Sequence, residues 1–449
     1  GSEMCIRDRE WLDNFKIRLS AGSMGNGNVD PYSYTSEMTV ATASDIVLGG
    51  GLPSYTTVGS TVPVSLTWEK STTYDLGLDL DFLNNRLSFS GDYYRRYTTD
   101  MYTASVALPA VYGTGSPKGN NAEMKTDGWE LSLSWRDSFK LGGKPFDYSI
   151  KAMVWDSKSV ITKYVNDTGS LGTVKGFIEN GGSPSSYYVG MTVGEIWGYT
   201  VAGLFRDQAD IDSSAIHDFV QASDKVTRPG QVKIADLDHN GNIDPGAFTA
   251  DDHGDLSIIG NINPHYMFGV NLAANWNGIG LSVFLQGVMK RDWYPSPDSG
   301  YFWGKYARPF MWVLGIHNYT DDMYSEEKNN WDTAYWPRMT TYQSNSSYSW
   351  TKLLEIPNTR YKQNAAYLRV KNIQVDYTFP KALCQKIRLG GLKIYLSGEN
   401  LFTFTPLHKY APNFDPEALG YDTDFSSTAG DGYTYPVLKS VTLGVNITF

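Results

Sequence analysis

The sequence predicts an all-β protein: a transmembrane antiparallel β-barrel with short turns at one end and long extracellular loops at the other. Three observations support this fold class. Aromatic residues make up 14% of the 449 residues and glycine occurs 44 times, whereas runs of helix-favouring residues are scarce. Apolar and polar residues alternate in segments of about ten residues, the length that crosses a bilayer at the usual strand tilt. Tight turns alternate with long connections.

The first clear hairpin lies in the segment "YDLGLDLDFLNNRLSFSGDYYRRY". One face of its first strand carries Tyr74, Leu76, Leu78, Leu80 and Phe82, and the other carries Asp75, Gly77, Asp79 and Asp81. Asn84 and Asn85 predict a tight turn, after which Leu87, Phe89, Gly91 and Tyr93 resume the apolar face. In a barrel the acidic face would line the lumen or an inner plug, most simply as a wetted interior.

The same alternation recurs along the chain and predicts about twelve to fourteen strands. The further apolar faces are Trp129, Leu131, Leu133 and Trp135; Tyr148, Ile150, Ala152 and Val154; Tyr266, Phe268, Val270, Leu272, Ala274 and Trp276; Ile279, Leu281, Val283 and Leu285; Ile373, Val375, Tyr377 and Phe379; Leu392, Ile394 and Leu396; and Val441, Leu443, Val445, Ile447 and Phe449. Long irregular connections are expected at residues 101–122, 156–190, 207–262, 292–365 and 405–435. A soluble sandwich has shorter strands and shorter connections, so the barrel is favoured.

Composition excludes several other classes. The formal charge of −10 and the pI near 5.1 leave no basic face for nucleic acid. Cys5 and Cys384 provide neither a disulfide framework nor a Cys-x-x-Cys metal pair. No apolar stretch is long enough for a membrane helix, and no apolar core follows a basic start as a signal peptide would require. Residues 1–9, "GSEMCIRDR", resemble a cloning scar and adapter read-through, so residues 10–449 carry the fold prediction.

Six collinear segments resemble one protein family. They are "WEKSTTYDLGLDLDFLNNRLSFSGDYYRR", "GEIWGYTVAGLF", "IGNINPHYMFGVNLAANWNGIGLSVFLQG", "YLRVKNIQVDYTFP", "LSGENLFTFT" and the terminal "VTLGVNITF". Together they strongly resemble the SusC/RagA family of TonB-linked outer-membrane proteins of Bacteroidetes-type bacteria. The resemblance covers nearly the whole chain.

The resemblance implies that the chain is the C-terminal part of a barrel of about 22 strands. Its first strand, Phe15 to Tyr34, would lie well inside that barrel. The N-terminal signal, accessory domain, TonB-contacting segment and plug of the family would then be absent.

The resemblance also implies a function in the bacterial outer membrane: TonB-driven import of oligosaccharides, or of peptides. A SusD-like surface lipoprotein would be a partner, together with the TonB complex and membrane lipid. This part of the protein would supply barrel wall and outer loops. The last residue, Phe449, follows alternating apolar residues and resembles the signal read by the outer-membrane assembly machinery.

One loop has the spacing of a calcium site. Asp236, Asp238, Asn240, Asn242 and Asp244 place oxygen ligands at alternating positions around Gly241. The position at which an EF-hand has its bidentate Glu is Ala247, and Asp251, Asp252 or Asp255 could supply that ligand instead. The alternative interpretation is a solvated acidic turn. Apart from this possible Ca²⁺, we expect no cofactor.

The loop from Asp292 to Gln363 is rich in aromatic residues. Its candidates for contact with a ligand or a partner are Trp303, Tyr306, Trp312, Trp331, Trp336 and Trp350. Exposed rings beside Asp and Asn suit the apolar faces and hydroxyls of sugars. The same rings could instead form the core of the loop or a docking surface for the lipoprotein.

Catalysis finds little support in the sequence. The six histidines form no His-Glu-x-x-His motif, and no Gly-x-Ser-x-Gly or phosphate loop is present. The chain is therefore predicted not to be an enzyme. Two other functions stay open: a soluble secreted carbohydrate-binding or glycosidase β protein, and a complete porin without a plug.

Overall fold

The computed structural model describes residues 11–27, 35, 38–59, 66–104, 111, 118–217, 226–295, 302, 322–338, 356–419 and 436–449. In chain order the strands are β1 (Leu12–Asn26), β2 (Met38–Thr42), β3 (Ser54–Val58), β4 (Glu69–Phe82), β5 (Leu87–Ala104), β6 (Lys118–Leu141), β7 (Lys144–Lys163), β8 (Glu195–Tyr199), β9 (Val201–Leu204), β10 (Val232–Ile234), β11 (Leu256–Asn261), β12 (His265–Trp276), β13 (Ile279–Lys290), β14 (Asp292–Trp293), β15 (Gln363–Asn364), β16 (Tyr367–Thr378), β17 (Gly391–Phe404) and β18 (Ser440–Thr448). The α-helices are α1 (Val174–Glu179), α2 (Gln208–Asp212) and α3 (Lys381–Lys386), and a 3₁₀ helix spans Pro406–Lys409. Among the described residues, no helix is both long and apolar enough to cross a membrane.

Ten of these strands form one large sheet, which we call the wall, in the order β1-β4-β5-β6-β7-β12-β13-β16-β17-β18. Every pairing in the wall is antiparallel, and its strands are neighbours in the order in which the chain presents them. Strands β1 and β18 lie at its two edges. The all-β antiparallel fold class is therefore confirmed.

The alternation in the sequence correctly predicts the two faces of the wall. In β18 the side chain of Leu443 is 73% exposed, and every predicted apolar position of this strand is exposed. The same outward face continues across the sheet. Its exposed members in the other strands include Ile17, Leu19, Tyr74, Leu76, Tyr93, Leu131, Leu133, Ile150, Leu281, Val375 and Leu396. Such a continuous apolar surface is far larger than a soluble monomer tolerates, and it fits contact with lipid.

The predicted asymmetry between turns and loops is also confirmed. At one end, β6 and β7 are joined through Gly142 and Gly143, and β12 and β13 through Asn277 and Gly278. All four residues have positive φ, which is the backbone that tight hairpin turns require. At the other end, the wall strands are joined by connections that span residues 27–68, 105–117, 164–264, 291–366 and 405–439. We call these the turn end and the loop end.

Two details differ from the sequence prediction. The wall strands range from 9 residues in β18 to 24 in β6, rather than all being about ten. Strands β5, β6 and β7 are longer because they continue beyond the apolar belt, into stretches expected to be loop. The described part of the wall has ten strands rather than twelve to fourteen, because short strands such as β8 and β11 pair with each other in the connections.

The described parts of the connections 164–264, 291–366 and 405–439 form a folded body with a core of its own, rather than irregular loops. Buried residues from distant parts of the chain meet there, among them Leu171, Phe177, Tyr199, Ile234, Leu256, Trp293, Trp336, Tyr361, Leu407 and Phe414. Ile161 ties this core to β7, since its amide donates a hydrogen bond to the carbonyl of Met191 at 2.9 Å. The core of the described residues therefore lies at the loop end of the wall.

Candidate functional site

The inward face of the wall is polar. Its side chains alternate with the exposed apolar ones and come from several strands. They include Ser90, Asp92, Glu130, Ser132, Ser134, Asn271, Ser282, Gln374 and Ser397. A surface of hydroxyl, amide and carboxylate groups on the side opposite to lipid has the character of a water-filled barrel interior.

An ion-pair cluster lies on this inward face between β1, β4 and β5. Arg18 Nε donates to Asp79 Oδ2 at 2.8 Å, and Arg18 Nη1 lies 2.8 Å from Asp92 Oδ1. Ser90 Oγ donates to the other oxygen of Asp79 at 2.7 Å. Gly77 gives the guanidinium its space, because a Cβ there would lie 2.6 Å from Arg18 Cζ. The predicted acidic face is thus partly neutralised. The alternation along β1 could have placed Arg18 on the inward face. Its pairing with Asp79 could not be predicted without the register between β1 and β4.

A second ion-pair cluster, which the sequence did not reveal, fixes the segment after the 3₁₀ helix to the wall. Arg369 of β16 is 3% exposed, and its guanidinium lies 2.5 Å from Asp415 Oδ1 and 2.8 Å from Glu417 Oε2. Lys371 Nζ approaches the same Glu417 oxygen at 2.7 Å, and Arg369 Nε donates to Thr403 Oγ1 at 2.9 Å. Ion pairs therefore hold the segment that contains Asp415 and Glu417 against the inward face of the wall.

The predicted calcium loop folds with its acidic residues together. Carboxylate oxygens of Asp236, Asp238 and Asp255 all lie within 4.8 Å of one another. Of the three candidate closing residues Asp251, Asp252 and Asp255, Asp255 is the one that lies in this group. Asn240 Nδ2 donates to Asp238 Oδ2 at 2.9 Å and to Asp244 Oδ2 at 3.3 Å. The backbone amide of Asn242 donates a hydrogen bond to Asn240 Oδ1 at 2.7 Å.

Asp255 is the buried member of this group. Its Oδ1 accepts a hydrogen bond from the backbone amide of Leu237 at 2.6 Å, and its Oδ2 accepts one from the backbone amide of Asp244 at 2.9 Å. Burial raises the pKa of the Asp255 carboxyl despite these two hydrogen bonds, and the neighbouring charges of Asp238 and Asp236 raise it further. Asp236 Oδ1 is buried without a hydrogen-bond partner. These are the properties of oxygen ligands whose charge a cation would offset.

The aromatic loop is only partly described. Trp336 is 2% exposed and packs against Tyr361, with ring centroids 5.4 Å apart, and against Phe302 at 5.5 Å. It therefore belongs to the core of the loop-end body. This is the alternative given above to contact with a ligand. Trp331 is partly buried and packs at the edge of the same core. Trp303, Tyr306, Trp312 and Trp350 lie outside the described residues.

Phe449 follows β18 at the turn end and is 95% exposed. Just before it, the carbonyl of Thr448 accepts a hydrogen bond from the amide of Gly390 at 2.7 Å, which fixes the end of β18 beside β17. The aromatic ring continues the outward apolar series of that strand.

The chain matches a family model described as TonB dependent receptor-like, beta-barrel, over residues 10–251. It belongs to that family. TonB-dependent receptor P3 of Formosa agariphila is 26% identical, and the match covers 100% of this chain and 41% of that protein. TonB-dependent receptor SusC of Bacteroides thetaiotaomicron is 24% identical, with 100% and 39% covered. The chain thus spans about two fifths of the length of these curated relatives.

Among solved structures, the RagAB peptide transporter is similar to this chain with a TM-score of 0.65 and 21% sequence identity. The match covers 100% of this chain and 42% of the RagAB chain. This likeness confirms the fold, and the predicted SusC/RagA resemblance is confirmed with it. As a TonB dependent receptor-like β-barrel, the chain is an outer-membrane protein. The family consists of receptors and transporters rather than enzymes.

Proposed function

We propose that the chain is part of a TonB-dependent importer of the outer membrane. The observation that carries this proposal is the wall, whose apolar outward face and polar inward face alternate residue by residue over ten strands. Such a wall separates lipid from an aqueous interior. The packed loop-end body then stands at the outer mouth of the conduit. A soluble carbohydrate-binding protein has no use for so much exposed apolar surface.

The proposed substrates are oligosaccharides or peptides that are too large for porins. The family resemblance favours oligosaccharides, whereas the similar RagAB structure is a peptide transporter. A SusD-like surface lipoprotein would bind at the loop end, where the aromatic loop lies. Energy would come from the TonB complex.

The test is uptake by cells whose chromosomal gene for this protein has been deleted and then restored. Restored cells are expected to accumulate a labelled oligosaccharide, or a labelled peptide, and to lose that uptake when the TonB system is inactivated. Purification of the restored protein in detergent is expected to recover a surface lipoprotein with it. Equal uptake with and without the gene, for both substrate types, would contradict the proposal.

We also propose that the loop of Asp236, Asp238 and Asp255 binds a divalent cation such as Ca²⁺. Three carboxylates that converge within 4.8 Å repel one another, and a hard cation with oxygen ligands would remove that repulsion. Asp244, Asn240 and Asn242 would complete or orient the ligand set.

Calorimetric titration of the protein with calcium tests this site. The Asp236→Asn and Asp238→Asn variants are expected to weaken binding about tenfold or more, since each removes a charged ligand. Asp251→Asn is the matched control, because Asp251 lies in the same loop outside the convergent group. No heat at millimolar calcium, or equal loss in the control, would show that the loop is a solvated acidic turn.

A further inference from the structure

The outward face of the wall carries a group of charged and aromatic side chains on β5, β6 and β7. We call it the outward cluster and define it as Tyr93, Arg95, Lys125, Asp127 and Lys158. The registers place Arg95, Asp127 and Lys158 side by side on three successive strands. The polar inward face does not include these residues, because they share the parity of exposed Leu131 and Leu133.

One carboxylate organises the cluster. Asp127 Oδ1 accepts from Arg95 Nε at 2.5 Å and from the Tyr93 hydroxyl at 3.0 Å. Asp127 Oδ2 lies 3.2 Å from Lys125 Nζ. Arg95 is still 42% exposed and Lys125 33% exposed, so both cations are accessible from outside. Lys158, opposite Asp127 in the register, is also exposed.

The cluster has a surplus of positive charge. Three cations surround the single carboxylate of Asp127, in a chain whose formal charge is −10. The nearest other acidic residues of β6 and β7 already have partners: Asp156 Oδ1 lies 2.8 Å from His265 Nδ1, and Glu123 Oε1 lies 3.3 Å from Lys163 Nζ. The surplus is therefore local, and its field would attract an anion.

The height of the cluster on the wall indicates where that anion lies. Asp127 is fourteen residues from Leu141, where β6 meets the turn end. At about 3.3 Å per residue and a tilt of about 45°, this corresponds to about 33 Å across the membrane, which is more than the height of about 25 Å of the apolar band of an outer-membrane barrel. Trp129, one outward step below Asp127, packs near Tyr266 with ring centroids 6.4 Å apart, as in an aromatic belt. The cluster thus lies at the headgroup level of the outer leaflet.

We propose that the outward cluster binds the phosphate group of a phosphorylated outer-leaflet lipid. Arg95 and Lys125 would donate to the phosphate oxygens, Lys158 would add a third positive charge, and the Tyr93 ring would lie against the upper part of an acyl chain. Leu131 and Leu133 continue the apolar surface for those chains toward the turn end. The site is separate from the conduit, because the wall lies between them.

Native mass spectrometry of the full-length protein that contains this chain tests the site. The probe is a phosphorylated glucosamine-based lipid from the outer leaflet, compared with the same lipid after phosphatase treatment. The phosphorylated lipid is expected to bind at least about tenfold more tightly, and the difference is expected to shrink at high salt. Equal binding of the two lipids would overturn the proposal.

A triple variant, Arg95→Gln, Lys125→Gln and Lys158→Gln, is expected to lose that preference. The matched control removes one cation from the inward face of each of the same strands: Arg96→Gln, Lys140→Gln and Lys151→Gln. It is expected to keep the preference, and an equal loss in the control would overturn the proposal.

A single variant, Asp127→Asn, is expected to change the affinity for phosphorylated lipid in the opposite direction. It removes the carboxylate that competes with phosphate, so phosphorylated lipid is expected to bind several-fold more tightly. This variant keeps the test decisive if the triple variant fails to fold. Unchanged or weaker binding by Asp127→Asn would also contradict the site.

Discussion

Arg369 shows how a single residue joins the loop-end body to the wall. Its guanidinium is buried between Asp415 and Glu417, and Asp415 Oδ2 also accepts a hydrogen bond from the amide of Val437 at 3.0 Å. The same carboxylate therefore holds both ends of the stretch between Asp415 and Val437. Removing the cation would leave the Asp415 carboxylate without its ion-pair partner and Glu417 with Lys371 alone.

The Arg369→Met variant is expected to lower the free energy of unfolding by about 3–5 kcal/mol, since it breaks a buried ion pair on one side only. Unfolding of detergent-solubilised protein, followed by tryptophan fluorescence against denaturant, measures the change. Arg86→Met is the control, because the Arg86–Asp137 pair is exposed with a separation of 3.5 Å, and such pairs contribute about 0–1 kcal/mol. Equal losses in the two variants would show that Arg369 does not anchor the loop end.

At the residue scale, the sequence shows the type of chemistry but not the partners. The spacing from Asp236 to Asp244 predicts an acidic loop, whereas the choice among Asp251, Asp252 and Asp255 depended on how the chain returns to the loop. Trp336 illustrates the same limit. A tryptophan in a long loop suits a sugar surface or a core, and only its packing against Tyr361 distinguishes the two.

At the scale of elements, the short strand β10 depends on a histidine. His217 Nε2 accepts a hydrogen bond from the amide of Ile234 at 2.9 Å, and Nδ1 lies 2.7 Å from the carbonyl of Ala215, to which it donates. Burial lowers the pKa of His217 below the usual value of 6.5, and the nearby Lys233 lowers it further. The neutral ring is therefore part of the folded element.

We expect the local stability of β10 to fall as the pH drops below about 6.5. In that range the unfolded state binds a proton that the folded state does not, so acid favours opening. Hydrogen exchange at the Ile234 amide, corrected for its intrinsic pH dependence, measures the effect. His217→Gln keeps an acceptor that does not titrate, and its protection is expected to be independent of pH. If wild-type protection is equally constant, His217 does not control this element.

The last strand offers a separate prediction, which concerns membrane assembly. Phe449 is exposed beside β17, where it makes no contribution to a core. Phe449→Ala is therefore expected to reduce the assembled fraction several-fold in cells, with little change in the stability of the protein that does assemble. Heat-modifiable migration of outer-membrane extracts separates folded from unfolded protein. Thr448→Ala is the control, and an unchanged folded fraction in Phe449→Ala would reject the assembly signal.

At the scale of the whole molecule, the predictable part of the fold is the part governed by a local period. Leu76, Leu78 and Leu80 show the period of two directly, and Asn277 and Gly278 supply the backbone that a tight turn needs. The loop-end core was not predictable in this way. It joins Leu171, Tyr199 and Trp336 across large sequence separations, and no repeating pattern encodes such contacts.

As proposed above, the wall separates lipid from a polar interior. This proposal rests on the alternation along strands such as β6, in which Leu131 and Leu133 are exposed outward and Ser132 and Ser134 point to the other face. If the sheet lies in a membrane as proposed, these four neighbouring positions alternate between lipid and water.

The test is to place spin labels one at a time at residues 131, 132, 133 and 134, after replacement of Cys384 and any other native cysteine. In the full-length protein reconstituted in bilayers, collision with oxygen reports lipid and collision with a water-soluble nickel chelate reports water. Oxygen maxima are expected at positions 131 and 133 and lower oxygen access at positions 132 and 134, with a period of two residues. Equal oxygen access at all four positions, or maxima at the two serines, would contradict the proposal.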